Sequence, residues 1–315
     1  MKTPPLIAPL GPNDEEAVAR LLHTALVAWY ESRLRQGARF GESHEPFRIF
    51  PRVYGALDAG EGVGARDAAT GELLGVCFIH DRPTHVAFGI VATAPGAQGR
   101  GVARAMMEPA LARARAAGKP ARLVSSALNL DSFSLYTRLG FAPHTLYQDM
   151  VLTVPTTGLV VVPPPGAERV RVARRDEAGR LANFENAQRG VSREKDYAFF
   201  LRNEVGAWRT WVLDDERDPT GEPAGFLVAS HDPACLMIGP GHARDEATAL
   251  ALLWRALDAM RGHTPVWLVP CAEAGLVRTL YAWGARNVEL HVASAVGAVP
   301  PARGITWPTF LPETG

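Results

Sequence analysis

Residues 86–117 constrain the fold more than any other stretch of the chain. Val86–Thr93 is an apolar run of strand character. Pro95 and Gly96 break it, and from Gln98-Gly99-Arg100-Gly101-Val102-Ala103 a helical pattern runs to about Ala117. A strand feeding a glycine-rich turn at a helix start makes an anion site, because the first-turn N–H groups have no intrahelical acceptor and the helix dipole adds partial positive charge. Gly99 and Gly101 let a ligand approach the backbone closely, and Arg100 and Arg104 can add charge-assisted contacts. The expected ligand is a phosphate or pyrophosphate. A nucleotide P-loop would need Gly-x-x-x-x-Gly-Lys-Ser/Thr, which the chain lacks. A dinucleotide fingerprint would need a third glycine where Arg104 stands.

A second segment follows at a telling distance. Ala121–Ser126 reads as a short buried strand, and Asn129-Leu130-Asp131-Ser132-Phe133-Ser134-Leu135-Tyr136-Thr137-Arg138-Leu139-Gly140-Phe141 as a helix capped by Asn129 with Ser132 or Asp131. Gln98–Ala103 matches the acetyl-CoA loop Gln/Arg-x-x-Gly-x-Gly/Ala. Thr93-x-Pro95 fits the strand-to-loop step, with Thr where Val is commoner. Asn129, Tyr136 and Leu139-Gly140-Phe141 match a second motif in the right order. On these residues the chain resembles the GNAT (GCN5-related) N-acetyltransferase superfamily over roughly residues 5–155. The resemblance implies that Val91, Ala92 and Thr93 lie alongside the pantetheine of acetyl-CoA. It implies that Gln98, Gly99, Arg100, Gly101, Val102, Ala103 and Arg104 hold the pyrophosphate, and that Asn129, with Ser132, lies at the pantetheine arm. Tyr136 would sit near the thioester sulfur.

Acetyl transfer to an amine needs a thioester held against backbone N–H groups, an amine that loses a proton and a thiolate that gains one. Tyr136 is the candidate acid, since a phenol stays protonated at neutral pH. His85 is the candidate base, with His80 across the hairpin as the other imidazole. Both also suit solvent-facing turn positions, and a water chain or Glu42, His44 and Glu45 stay open as alternatives. Helix Asp14–Glu31 is amphipathic, and the following Arg33–Phe50 stretch is the expected acceptor wall. Its Arg33, Arg35, Arg39 and Arg48 suit either an anionic acceptor or solvent. Pro109 falls inside the helix after the loop and is expected to kink it beyond the phosphate site.

The chain has 315 residues, which allows two domains, and its formal net charge is zero. That balance gives nucleic acid or an anionic membrane no electrostatic case as the main partner. No apolar run approaches membrane-spanning length, and Met1-Lys2-Thr3-Pro4-Pro5 is not a signal peptide. Cys77, Cys235 and Cys271 sit in apolar surroundings and read as buried reduced thiols rather than a disulfide or metal site. A cytoplasmic protein is expected. The terminal Leu311-Pro312-Glu313-Thr314-Gly315 matches a sortase pentapeptide without the segments such a signal needs and reads as coincidence.

Pro155–Gly166 has linker composition, and the remainder echoes the first half. Leu123-Val124 and Leu268-Val269 each precede a tyrosine, Tyr136 and Tyr281, at the same distance. Leu236–Gly239 matches the central strand and Ala247–Met260 the following helix. The expected fold class is α/β, as two tandem GNAT-like domains, each a mixed, mostly antiparallel sheet flanked by helices. This is similar to the arrangement of mycothiol synthase-like proteins. The expected boundaries are 1–155, a Pro-rich linker 156–166, and 167–315. In the second copy Pro240–Glu246 replaces the loop, with Asp245 and Glu246 repelling a pyrophosphate. Ala274 and Val277 stand for Asn129 and Ser132, and Tyr281 reads as a packing residue. That copy is therefore expected to be degenerate and not to bind CoA, serving to complete a sheet, shape the acceptor cleft or dimerise. The expected function is acetyl-CoA-dependent N-acetylation of a small-molecule or peptide amine, with acetyl-CoA as co-substrate and no metal. The alternative is a non-catalytic acetyl-CoA-binding sensor or partner-binding module.

Overall fold

The computed structural model describes residues 4–216, 218 and 221–309, so Met1–Thr3 and the Leu311–Gly315 pentapeptide, with the readings attached to them, lie outside the described residues. The chain forms two compact units. The first comprises the described residues up to Asp81 and His85–Leu123; the second comprises Arg82–Thr84 and Val124–Thr309. Among the described residues no helix is long and apolar enough to cross a membrane.

The first unit contains β1 (Leu6–Pro9), α1 (Glu15–Leu34), α2 (Ile49–Leu57), β2 (Val63–Arg66), β3 (Leu73–Asp81), β4 (Val86–Thr93), α3 (Val102–Ala116) and the start of β5 (Ala121–Ser126). Its strands lie in the order β1-β2-β3-β4-β5. The first four are antiparallel neighbours, and β5 is parallel to β4. The strands predicted at Val86–Thr93 and Ala121–Ser126 form with those bounds, and α3 runs through Pro109 as one helix. β3 is buried along almost its whole length. Helices cover it: Val102, Met106 and Leu111 of α3 and Leu22, Val53 and Tyr54 of α1 and α2 are all buried. Gly75 on β3 is where α3 presses closest. A Cβ there would stand 2.9 Å from both Met106 Cε and Val102 Cγ1, so glycine seats the start of the helix on the sheet.

The second unit continues with α4 (Leu130–Arg138), β6 (Ala142–Val151), β7 (Arg171–Val172), α5 (Ala178–Arg189), α6 (Glu194–Arg202), β8 (Trp208–Asp214), β9 (Pro223–Asp232), β10 (Cys235–Ala243), α7 (Glu246–Asp258), β11 (Val266–Pro270), α8 (Ala274–Ala282), β12 (Arg286–Val296) and β13 (Ile305–Trp307). The strand order from the end of β5 is β12-β6-β11-β10-β9-β8-β7. The two repeats thus exchange their last strands. β6 follows α4 in the chain but pairs with β11, through Val266–Val151 to Pro270–Tyr147, while β12 lies between β6 and the end of β5. The core of this unit is built on α7 and the tryptophans Trp211, Trp267 and Trp307, all at most 2% exposed. The proline-rich stretch is docked on α7. Leu159 N–H donates to Asp258 Oδ1 at 3.0 Å, and Trp254 Nε1–H donates to the Val161 carbonyl at 3.2 Å.

Removing the Trp307 ring should leave a large cavity at a fully buried position. Trp307→Ala is expected to cost about 3–5 kcal/mol of stability, read as a lower denaturation midpoint with the far-ultraviolet spectrum of the native fold retained.

Candidate functional site

β4 is paired along one edge with β3, with a bulge between Phe88 and Val91. On its other edge it pairs with β5 only at Val86–Ala121 and Ala87–Arg122. From Phe88 to Thr93 that second edge makes no strand bonds among the described residues. Val91 and Thr93 are half-buried there and Ala92 is buried. The open edge leads straight into the turn of Pro95–Ala97 and the glycines. Gly99 and Gly101 have φ of +72° and +77°, a region that strains any other residue, and nothing lies within 4 Å of a Cβ built on either. Gly101 is the N-cap of α3. The ladder begins with Ala105 N–H donating to the Gly101 carbonyl at 3.0 Å, so the N–H groups of Val102, Ala103 and Arg104 precede it and face an open cradle. Gln98 and Arg104 are exposed and Val102 is buried beneath them. Arg100 Nη2 stands 3.8 Å from Asp67 and Arg104 Nε 3.8 Å from Glu108, loose pairs that leave both cations usable. The residues present therefore suit a pyrophosphate at this helix terminus.

In the second unit, Asn129 caps α4 as its sequence suggests, its Oδ1 accepting from Ser132 N–H at 3.1 Å. Leu139-Gly140-Phe141 closes the helix in a Schellman motif. Gly140 has φ +96°, its N–H donates to the Thr137 carbonyl at 3.0 Å, and Phe141 N–H donates to the Tyr136 carbonyl at 3.0 Å. The turn fixes Tyr136, which is 8% exposed with its ring edge-on to Phe141.

The same motif ends α8. Gly284 has φ +95°, its N–H donates to the Tyr281 carbonyl at 2.9 Å, and Ala285 N–H donates to the Leu280 carbonyl at 3.0 Å. This corrects the sequence pairing of the repeats. Counting back from Gly284 as from Gly140, Leu280 stands in place of Tyr136, and Glu273, not Ala274, in place of Asn129. Tyr281 is not a packing residue. It is 45% exposed, and its hydroxyl donates to Gln148 Oε1 at 2.6 Å. Equal spacing from the strand misled, because the second connection is a residue shorter and the glycine turn, not the strand, sets the helix phase.

The second copy also repeats the parting strands. β10 pairs with β11 in parallel only at Met237–Val266 and Ile238–Trp267. There the chain fills the edge itself. β13 pairs antiparallel with β10 at Gly241–Trp307, His242–Thr306 and Ala243–Ile305. The start of α7 is also satisfied internally, since Asp245 Oδ1 accepts Thr248 N–H at 2.8 Å. Arg244 is held by Asp215 and Glu222 at 2.6 and 2.7 Å. The sequence pointed to the acidic cap but gave no sign of β13.

On the acceptor wall, Arg48 pairs with Glu15 at 3.0 Å, with Glu45 at 2.8 Å and with Glu16, and Arg52 pairs with Glu15 at 2.8 Å. Hydrogen bonds from Arg52 and Arg48 hold the Glu15 carboxyl below its ordinary range. Arg39 lies over the rings of Tyr30 and Phe40. Arg48 and Arg39 are thus engaged within the wall. A cavity of about 290 Å³ between the start of α1 and α2 includes none of the glycine loop in its lining. Two groups, Glu16–His44–Glu45 and Asp149–Glu289–His291, bring three ligand-type atoms within 4.8 Å. Arg48 is bonded to both glutamates of the first, and in the second His291 Nδ1 pairs with Asp149 at 2.7 Å. His80 and His85 do not face solvent, each being 1% exposed. His85 lies just ahead of β4. His80 lies on β3 with Nδ1 2.5 Å from Asp58 Oδ2, a partner that sequence spacing did not suggest.

With this geometry in hand, comparison with known proteins gives a consistent picture. The acetyltransferase (GNAT) family model matches residues 23–141. None of the curated protein sequences matches the chain. Among solved structures, a Pyrococcus horikoshii protein assigned as an acetyltransferase is 15% identical, with TM-score 0.70 over 95% of this chain and 91% of its own. A GCN5-related N-acetyltransferase from Sphaerobacter thermophilus is 16% identical, with TM-score 0.60 over 95% and 96%. A tandem GNAT protein from the clavulanic acid biosynthesis pathway is 17% identical, with TM-score 0.58 over 94% and 98%. At these identities the likeness is one of fold.

His242, on β10 opposite β13, gives the second copy a pH signature. It is fully buried, its Nδ1 lies 3.0 Å from Thr306 Oγ1, and burial, with the charge of Arg189, lowers its pKa to about 4 from 6.5. Between those values the unfolded chain binds a proton that the folded chain does not, so stability falls as pH drops from 6.5 toward 4. The loss from this group is on the order of 3 kcal/mol. Denaturation midpoints followed from pH 7 to pH 4.5 should show a shallower slope in His242→Gln than in the wild type.

Proposed function

With residues 23–141 a GNAT acetyltransferase domain within a tandem GNAT fold, we propose that the protein is an acetyl-CoA-dependent N-acetyltransferase. It would move the acetyl group to a primary amine of a small-molecule or peptide acceptor by direct transfer in a ternary complex. The observation that carries this reading is the unpaired edge of β4 running into the open glycine cradle at the start of α3.

The pantetheine amides would bond the free backbone of Val91, Ala92 and Thr93 as an added strand would. The pyrophosphate would lie on the N–H groups of Gly99 and of Gly101 to Arg104, with the Gln98, Arg100 and Arg104 side chains around it. Asn129, whose carbonyl oxygen caps α4, would meet the pantetheine arm together with Ser132, as the family resemblance implies. The amine nitrogen attacks the thioester carbon, the carbon–sulfur bond breaks, and the leaving thiolate takes the Tyr136 proton. His85 and His80 are the imidazoles at hand for the proton that the amine gives up. In the second copy the matching backbone edge bonds β13, and Leu280 stands where an acid would be. One acetyl-CoA per chain is therefore expected.

Calorimetric titration with acetyl-CoA should read one site; two sites would show that β13 yields. Gly101→Glu places a side chain in a left-handed conformation and a negative charge in the cradle, and acetyl-CoA affinity should be lost. Tyr136→Phe should lower turnover, followed as thiol release, far more than affinity. Equal rates would make Tyr136 a packing residue, and acetyl-CoA binding with no amine ever acetylated would make the protein a sensor.

A further inference from the structure

We propose that Asp58 and His80 form the proton-accepting pair for the incoming amine, an assignment that rests on the acetyl-transfer reading above. His80 is 1% exposed and Asp58 6%. Nδ1 lies 2.5 Å from Asp58 Oδ2, and the imidazole tilts against Tyr54 at 5.2 Å. Tyr54 in turn stacks on Phe78 at 4.2 Å, so the ring is clamped between α2 and the sheet. An ionised carboxylate can only accept, so Nδ1 carries the hydrogen and Nε2 the lone pair. That is the tautomer of a base, held by an acid behind it as in other base–orienter pairs. Nε2 is buried and has no hydrogen-bond partner among the described residues. A buried polar nitrogen left unmatched costs about 1–3 kcal/mol, a cost that makes sense where a ligand supplies the missing partner.

The register places His80 on the sheet. His80 is directly across from Ala87 on β4. Asp58 caps the end of α2, the helix whose Tyr54 stacks on Phe78 of β3. The two ring nitrogens lie on opposite edges of an imidazole, so with Nδ1 on Asp58 the unmatched Nε2 edge faces away from that carboxylate. Ala87 is the last residue of β4 that pairs with β5. The carbonyl of an acyl group held on the free backbone just past Ala87 would therefore lie beside His80. The ammonium of the acceptor gives one proton to Nε2, the amine lone pair forms the new carbon–nitrogen bond as the carbon–sulfur bond breaks, and the second proton that the nitrogen sheds makes up for the one passed to the leaving thiolate. The imidazolium is stabilised by Asp58 until it returns the proton to water. His85 precedes β4 instead of standing across from the point where the strands part.

The test compares two nucleophiles in thiol release from acetyl-CoA by the full-length protein. Hydroxylamine is uncharged at neutral pH and needs no base to expose its lone pair. Primary alkylamines, taken as a panel, are protonated and do need one. His80→Gln should lower kcat with the alkylamine by about 100-fold or more, yet keep most of the hydroxylamine rate and the wild-type affinity for acetyl-CoA. Asp58→Asn, which leaves the imidazole in place, should show the same split more weakly and carries the test if His80→Gln does not fold. Loss of both reactions in a folded variant, or loss of neither, overturns the assignment, as does the same split appearing in His85→Gln instead. A wild type that acetylates hydroxylamine but no alkylamine overturns the pair and leaves acetyl transfer standing. A wild type silent with every nucleophile overturns acetyl transfer itself.

Discussion

The parallel pairing of β4 with β5 stops after Ala87, and the corresponding pairing of β10 with β11 stops after Ile238. Two strands that part in this way leave a row of backbone donors and acceptors without partners inside a fold. Each such group left unsatisfied and buried costs about 1–3 kcal/mol, so a gap of this kind must be wet, filled by a ligand or filled by the chain. In the first copy it stays open and leads to an uncovered helix terminus. In the second, Ile305–Trp307 is laid into it as a strand, with Trp307 wholly buried. The same gap is thus left open in one copy and closed by the chain itself in the other.

The exchange of β6 and β12 follows from a different economy of pairing. Each repeat ends on a strand after its α4-type helix, and an end strand left alone would present a free edge. By crossing, β6 gains β11 on one side and β12 on the other, so it is not an edge of the second unit. The compact units divide within β5, near residue 123, and the proline-rich stretch is bonded to α7 through Leu159 and Val161. Composition marks where a chain has turns and prolines; it does not say which strand will lie beside which.

That distinction explains what could be read beforehand. β4, β5, α3 and the Asn129 cap depend on local pattern and local hydrogen bonds, and they form where the residues place them. Tyr281 was misplaced because spacing from a strand ignores the glycine turn that sets helix phase. His80 and His85 look like turn residues in sequence, since Asp81-Arg82-Pro83-Thr84 is polar, yet both are buried. Neither Asp58 beside His80 nor β13 beside β10 has any local signal, because both are contacts between segments far apart in the chain.

The two copies also differ in how they hold titratable groups near the sheet. In the first, His80 bonds Asp58 through one ring nitrogen and leaves the other unmatched. In the second, Glu185 is wholly buried between Arg193, at 2.7 and 2.8 Å, and the Tyr197 hydroxyl. Burial pushes the Glu185 carboxyl up, and the charge and hydrogen bonds of Arg193 override it, leaving the group below its ordinary value. Burial pushes the Tyr197 phenol well up, and His242 titrates only near pH 4. Each is fixed in a single protonation state at neutral pH: Glu185 ionised, Tyr197 and His242 neutral. A proton acceptor for an ammonium must be able to change state under working conditions. In the second copy packing has removed that freedom from Glu185, Tyr197 and His242.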